Sequence, residues 1–187
     1  MDTWQAIDTT RAIRKFRAEP LKPEHLHRIL DAGRRTGSSK NQQNWDFIVC
    51  TDRAHLAQLA EVGPFAAHLA GAAAAIALVV PDPAASEAPY SIMWDLGRAA
   101  QNMTLAAWSL GIGSVPATVY NQPLARELLG YPADHWCEFM LSFGYAANPE
   151  ALTWANRAGG RKPLEAVVHH ERWSNQTAGG QQPEAGR

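Results

Sequence analysis

At 187 residues, with 46 % hydrophobic and 19 % charged side chains, the chain is long enough to bury one core and too apolar to stay disordered. A formal net charge of -1 gives no field to recruit nucleic acid or an acidic membrane surface. The two cysteines, Cys50 and Cys137, lie inside apolar strand-like runs, so free buried thiols in the cytoplasm are expected rather than a disulfide scaffold. No Cys or His spacing suits zinc: His25 and His27 face different ways on a helix, and His169 and His170 are adjacent.

In chain order, residues 2–9 read as a short polar helix with Trp4 and Ile7 on one side, unlike a secretory leader. Next, TTRAIRKF sets Arg11, Arg14, Lys15 and Arg17 around Ile13 and Phe16. Basic and apolar residues alternating this way suit an extended piece pinned to a core, either as a solvated loop or as a grip on an anion. Pro23 opens a helix carrying Leu26, Ile29, Leu30 and Gly33 inward and ending near Thr36-Gly37. GSSKNQQNW then precedes a strand at residues 45–51. Such a loop is an ordinary turn or, given its amides and hydroxyls, a surface for a polar heterocyclic edge. Asp52 caps a helix to about Val62, Gly63-Pro64 breaks it, and residues 65–71 add a short helix. Residues 74–80 read as a buried strand, although the alanines leave a helix open, within an apolar run (69–80) too short to span a bilayer. Pro81, Pro83 and Pro89 bound an exposed loop.

Residues 90–113 form the longest helical stretch, apolar over most of its circumference, which predicts burial in a core or interface. Asp95, Arg98, Gln101 and Asn102 interrupt its middle, so it is no membrane span. Gly111 and Gly113 are expected to stop it and open a glycine-rich loop, GIGSVPAT, within which SVPATVY (114–120) reads as a short strand or an extended loop. Asn121 caps a further helix that Gly130 ends. Residues 137–144 alternate as a strand with Cys137, Phe139, Leu141 and Phe143 on one face. Residues 174–187 hold no apolar residue larger than alanine and read as a mobile tail, leaving 1–173 as one domain. Helices outnumber strands, which predicts an α+β domain. GxGxxG, GxxxxGK[ST] and GxSxG are all absent, and no side-chain triad stands out.

Four separated pieces together resemble the FMN-dependent nitroreductase family: TRAIRKF (10–16), GSSKNQQNW (37–45), DLGRAAQNMTLAAWSLGIGSV with the loop after it (95–119), and GGRKPLEAVV (159–168). That resemblance implies a central mixed or antiparallel sheet flanked by helices, with the long helix at a homodimer interface. It implies FMN as cofactor, NAD(P)H as reductant, and ping-pong transfer to a small oxidised acceptor such as a nitro compound or quinone. By the same resemblance, Arg11, Ala12 and Arg14 hold the flavin, with Arg11 toward the phosphate and Arg14 nearer the pyrimidine or ribityl chain. Arg161 closes on the phosphate. Ser38, Ser39, Asn41 and Gln43 line the ring across the dimer, and Pro116, Ala117 and Thr118 lie along its edge. The ring carries the redox chemistry, so no catalytic side chain and no metal are expected. The chain departs from the family's usual form at Thr10 (often Arg), Ala12 (often Ser), and Gly37 and Asn44 (usually Pro). A flavin binder without turnover, or a flavin enzyme for a non-nitro substrate, is the alternative reading. Trp45 and Trp94 are assigned to core packing rather than to the pocket.

Overall fold

The computed structural model describes residues 1–153 and 160–173. The expected C-terminal tail (174–187) lies outside the described residues. The chain divides into two compact units, Met1–Trp154 and Ala155–Arg187. The described part of the second unit holds one 3-10 turn, Leu164–Ala166, and a stacked His169–Trp173 pair with ring centroids 4.3 Å apart.

The first unit is built on four strands: β1 (Asp46–Cys50), β2 (Ala74–Pro81), β3 (Ile112–Thr118) and β4 (His135–Tyr145). They run in the order β1-β2-β4-β3, and every pair is antiparallel. Five helices accompany them: α1 (Thr3–Thr9), α2 (Pro23–Arg34), α3 (Arg53–Leu59), α4 (Ile92–Ser109) and α5 (Gln122–Leu129). Local chemistry sets their starts. Asp2 makes a reciprocal capping box with Gln5, Asp52 accepts from the His55 amide, and Asn121 accepts from the Leu124 amide.

Strand β2 explains the layering. Ala75, Ala77 and Val79 face one core with Leu56 and Leu59 of α3 and Ala125 of α5. Ile76, Leu78 and Val80 face the other, with Ile29 of α2 and Leu96 and Met103 of α4. A strand covered on both sides must be apolar at every position, hence AAIALVV. The domain is therefore three layers: α3 and α5, the sheet, then α2 and α4.

Three expectations are corrected. Of the two readings after the long helix the strand holds and the loop does not: β3 begins already at Ile112 and pairs with β4 from Ile112↔Tyr145 to Thr118↔Phe139. Only Gly111 lies outside it, and α4 ends at Ser109. Pro116 is tolerated because β3 is an edge strand, where a missing N–H costs no ladder bond. Cys137 does not share a face with Phe139, Leu141 and Phe143. Between Leu78↔Phe139 and Val80↔Trp136 the register slips, so two residues of β4 oppose one of β2. That bulge turns Cys137 into the α3/α5 core beside Met140. Both thiols stay free and buried, and burial pushes Cys137 up to about 12. Finally, α4 buries one side only. Ile92, Leu96, Ala99, Met103, Ala107 and Trp108 are covered, but Trp94 is 71 % exposed and so is no core residue of the single chain. Trp45 does pack against the α2/α4 core. Among the described residues Trp108 is the tryptophan that is buried, and its indole N–H donates to Thr9 Oγ1 at 2.8 Å, tying α1 to α4.

The segment between α1 and α2 runs extended along the free edge of β3. Ala12 bridges Ser114, the Ile13 amide donates to the Ser114 carbonyl at 3.0 Å, and the Arg17 amide donates to the Tyr145 carbonyl at 2.8 Å. Ile13 lies on Gly113 and Phe16 on Gly144. A Cβ on Gly113 would sit 2.6 Å from Ile13 Cβ, an atom too close to the backbone to swing away. Gly113→Ala is expected to lower stability by about 1–3 kcal/mol through overpacking, read as a lower urea midpoint. A midpoint equal to that of the parent would refute the close fit.

Candidate functional site

Pinning Ile13 and Phe16 against β3 and β4 fixes the basic residues between them. Arg11, Ala12, Arg14 and Lys15 line a cleft of about 220 Å³ with Ala146, Asn148 and Ala151. Arg14 and Lys15 also line a second cavity, of about 520 Å³, with Phe65, Ala67, His68 and Pro116. No carboxylate is among the described residues lining either space, so cations dominate both. Arg11 is partly buried and its Nε donates to the Thr9 carbonyl at 3.2 Å, which aims the guanidinium. Thus Arg11, Ala12, Arg14 and Pro116 come together at the β3 edge. Ala117 is fully covered beneath and offers only backbone there, and Thr118 is half-buried.

The loop 36–45 is built differently. Ser39–Asn41 forms one 3-10 turn, and Lys40, Asn41 and Gln43 all adopt positive φ (50°, 56° and 53°). For residues other than glycine each such conformation costs on the order of 1–3 kcal/mol, and the surroundings must enforce it. Those surroundings are polar residues of α4. Asp95, only 7 % exposed, accepts from the Ser39 amide at 2.9 Å and from Ser91 Oγ at 3.1 Å. Asn102 donates to Thr36 Oγ1 at 2.7 Å, and the Gln43 amide donates to Ser38 Oγ at 2.9 Å. The sequence presents Asp95 and Asn102 as interruptions of an apolar helix. Their seven-residue spacing puts them on one face, and that pattern is the signal of a shared task.

Ser38, Ser39, Asn41 and Gln43 lie beside β1 and the N-terminal half of α4, and Gln43 lines a cavity of about 460 Å³ with His27, Asp31, Arg34 and Trp45. The arginines lie beside β3. Strands β1 and β3 are the two outer strands of a four-stranded sheet, roughly 14 Å apart at the usual strand spacing. Within one chain the two groups therefore do not meet. Arg161 belongs to the second unit, is exposed, and donates from Nη1 to the Gly160 carbonyl at 3.1 Å.

His68 escapes a sequence reading because a single histidine in an apolar stretch carries no motif. Here it faces the Arg14 cavity, with Nδ1 2.9 Å from Ser142 Oγ. Burial pushes the imidazole below its ordinary value. The adjacent Pro116 carbonyl opposes that shift, and the Arg14 cation adds to it. Among the described residues no cluster could hold a metal ion, and no helix is long and apolar enough to cross a membrane.

The nitroreductase family model matches this chain over residues 7–70 and 63–145. A protein of Archaeoglobus fulgidus provisionally named NADH dehydrogenase/NAD(P)H nitroreductase is 39 % identical over 173 residues, covering 89 % of this chain and 96 % of its own length. The NADPH-flavin oxidoreductase of Vibrio harveyi is 30 % identical over 186 residues, covering 92 % and 75 %. Among solved structures, NADPH:FMN oxidoreductase from Vibrio harveyi complexed with NAD+ superposes with a TM-score of 0.80 at 26 % identity, covering 94 % of this chain and 79 % of that one. The chain belongs to the nitroreductase family, and it is an oxidoreductase.

Removing the Asp95 carboxylate leaves the Ser39 amide without its acceptor. Asp95→Ala is expected to lower stability by about 1.5–3 kcal/mol, the range for hydrogen bonds to a charged group, and to speed amide exchange at Ser39 and Gln43. Asp95→Asn, which keeps an acceptor oxygen, loses less. Unchanged exchange in the alanine variant would show that α4 does not hold the loop.

Proposed function

We propose that the protein is an FMN-dependent oxidoreductase that takes hydride from NAD(P)H and passes it to an oxidised organic acceptor, such as a nitro compound or quinone, in ping-pong fashion. The observation that carries this reading is the paired cationic cavity at the β3 edge, lined by Arg11, Arg14 and Lys15 with no carboxylate among the described residues. That donor set fits a phosphate dianion next to a flat polar ring. FMN, when bound, supplies the two-electron chemistry, and the protein supplies binding and electrostatics.

The roles of the chain's own residues follow. Arg11 offsets the phosphate, and Arg161 joins it in this reading, with 1–173 acting as one FMN-binding domain. Each charge-assisted bond contributes on the order of 1.5–3 kcal/mol. Arg14, at the junction of the two cavities, stabilises negative charge on the pyrimidine side. The backbone of Pro116, Ala117 and Thr118 meets the ring edge. Ala12, with no hydroxyl, leaves the arginines to carry the phosphate end.

Ser38, Ser39, Asn41 and Gln43 serve the same ring from a second copy of the chain. Their place at the opposite edge of the sheet supports this, because one chain cannot bring them to Arg14. The uncovered face of α4, with Trp94 largely exposed and Tyr90 exposed just before the helix, supports a homodimer whose interface this helix forms. Buried free thiols fit a cytoplasmic enzyme.

The purified protein is expected to be yellow, to bleach with NADH or NADPH, and to recolour when an acceptor is added. A colourless preparation that takes up no FMN would overturn the proposal, and colour without bleaching would make the protein a binder only. Light scattering is expected to give twice the chain mass. Arg161→Ala is expected to weaken FMN binding roughly tenfold or more, the loss of one charged hydrogen bond, while Lys162→Ala changes it little. Equal affinities in the two variants would remove Arg161 from the site.

A further inference from the structure

His68 is set up to hold a second proton. Ser142 is fully buried, and its hydroxyl donates to the Val115 carbonyl at 3.2 Å. Its oxygen is left as an acceptor for Nδ1 of His68, 2.9 Å away, so the neutral ring carries its proton on Nδ1. Nε2 is buried with no hydrogen-bond partner. The Pro116 carbonyl lies beside the ring and favours its protonated form. A buried ring nitrogen without a partner is costly, and the neighbouring carbonyl lowers the cost of a second proton on the ring. What opposes the proton is burial and a cation. The charged residues of the cavity are Arg14 and Lys15, both from the N-terminal segment. Among the described residues around it, Phe65, Ala67, Pro116 of β3 and Ser142 of β4 are all neutral.

We propose that His68 compensates the charge of flavin reduction: it takes a proton from solvent as the ring beside Arg14 becomes an anion, and releases it on reoxidation. This rests on the FMN reading above. The balance is closed. Hydride from NAD(P)H carries two electrons and one proton to the oxidised ring and leaves the oxidised nicotinamide. The ring gains one negative charge, and one solvent proton binds Nε2. In the return half the acceptor takes the hydride and His68 gives up its proton. The negative charge both cancels the field of Arg14 and attracts the imidazolium, so the His68 pKa is higher in the reduced protein than in the oxidised one. Below both pKa values His68 is protonated throughout, and above both it is neutral throughout. Only between them does reduction draw the extra proton. His68 acts through the field it shares with Arg14, which makes it a positioning residue for charge, not a catalytic residue.

The test is the midpoint potential of the bound flavin as a function of pH, in the parent protein and in His68→Gln. Glutamine keeps a hydrogen bond to Ser142 and holds no proton. In the parent the slope is expected to double between the two His68 pKa values, from one proton per two electrons to two. In the variant it stays at one throughout. A proton NMR titration of the parent, oxidised and reduced, gives a second reading that needs no stable variant, and the His68 pKa is expected to rise by about one unit or more, a tenfold change in proton affinity. A single-proton slope across the whole range in the parent, or an equal His68 pKa in both redox states, overturns this proposal and leaves the FMN reading standing. A protein that takes up no FMN overturns both.

Discussion

A buried carboxylate organises much of this molecule. Asp95 sits in the first turn of α4 with little water around it, and an unpaired charge there would be expensive. It is satisfied by the Ser39 amide, by Ser91 Oγ and, at 3.6 Å, by the Arg98 guanidinium. In meeting its own need the carboxylate clamps the loop after α2, whose three left-handed residues would otherwise relax. Helix α4 is thus a core element on one side and a holder of a functional loop on another. Both tasks fall on residues spaced by helical turns.

The second organising constraint is distance across the sheet. An antiparallel order β1-β2-β4-β3 puts the loop that leads into β1 and the basic segment that lies on β3 at opposite edges. The middle strands are covered on both faces and cannot admit a ligand, so whatever joins the two edges must come around the domain. A shared site between two copies meets that requirement, and the exposed Trp94 of α4, with Tyr90 just before the helix, is where such a contact would remove apolar surface from water.

The order of elements was legible in the sequence because helix caps, breakers and a doubly buried strand leave strong marks. Asp52, Asn121 and the run 74–80 are examples. The pinned basic segment was legible too, from Ile13 and Phe16 set among cations. GIGSVPAT was left between loop and short strand because glycine and proline usually mark loops, whereas here glycine makes room for Ile13 and proline sits on an open edge. Cys137 was placed on the wrong face because a bulge changes the parity of a strand without leaving a residue signature. The positive φ of Lys40, Asn41 and Gln43 was invisible, since nothing in those residue types requires it. The meeting of His68 with Arg14 depends on long-range packing that no local pattern encodes.

The bulge in β4 bears on chemical self-protection. It turns Cys137 into the α3/α5 core, and Cys50 lies in the same cluster. Burial raises both thiols above their ordinary values, so thiolate, the form that attacks, is scarce at neutral pH. Soft electrophiles add to thiolates far faster than to thiols, and a protein with sulfur at its surface is consumed by them. This chain instead lines its cationic cavities with guanidinium, ammonium and amide groups and keeps its sulfur nucleophiles protonated in the interior.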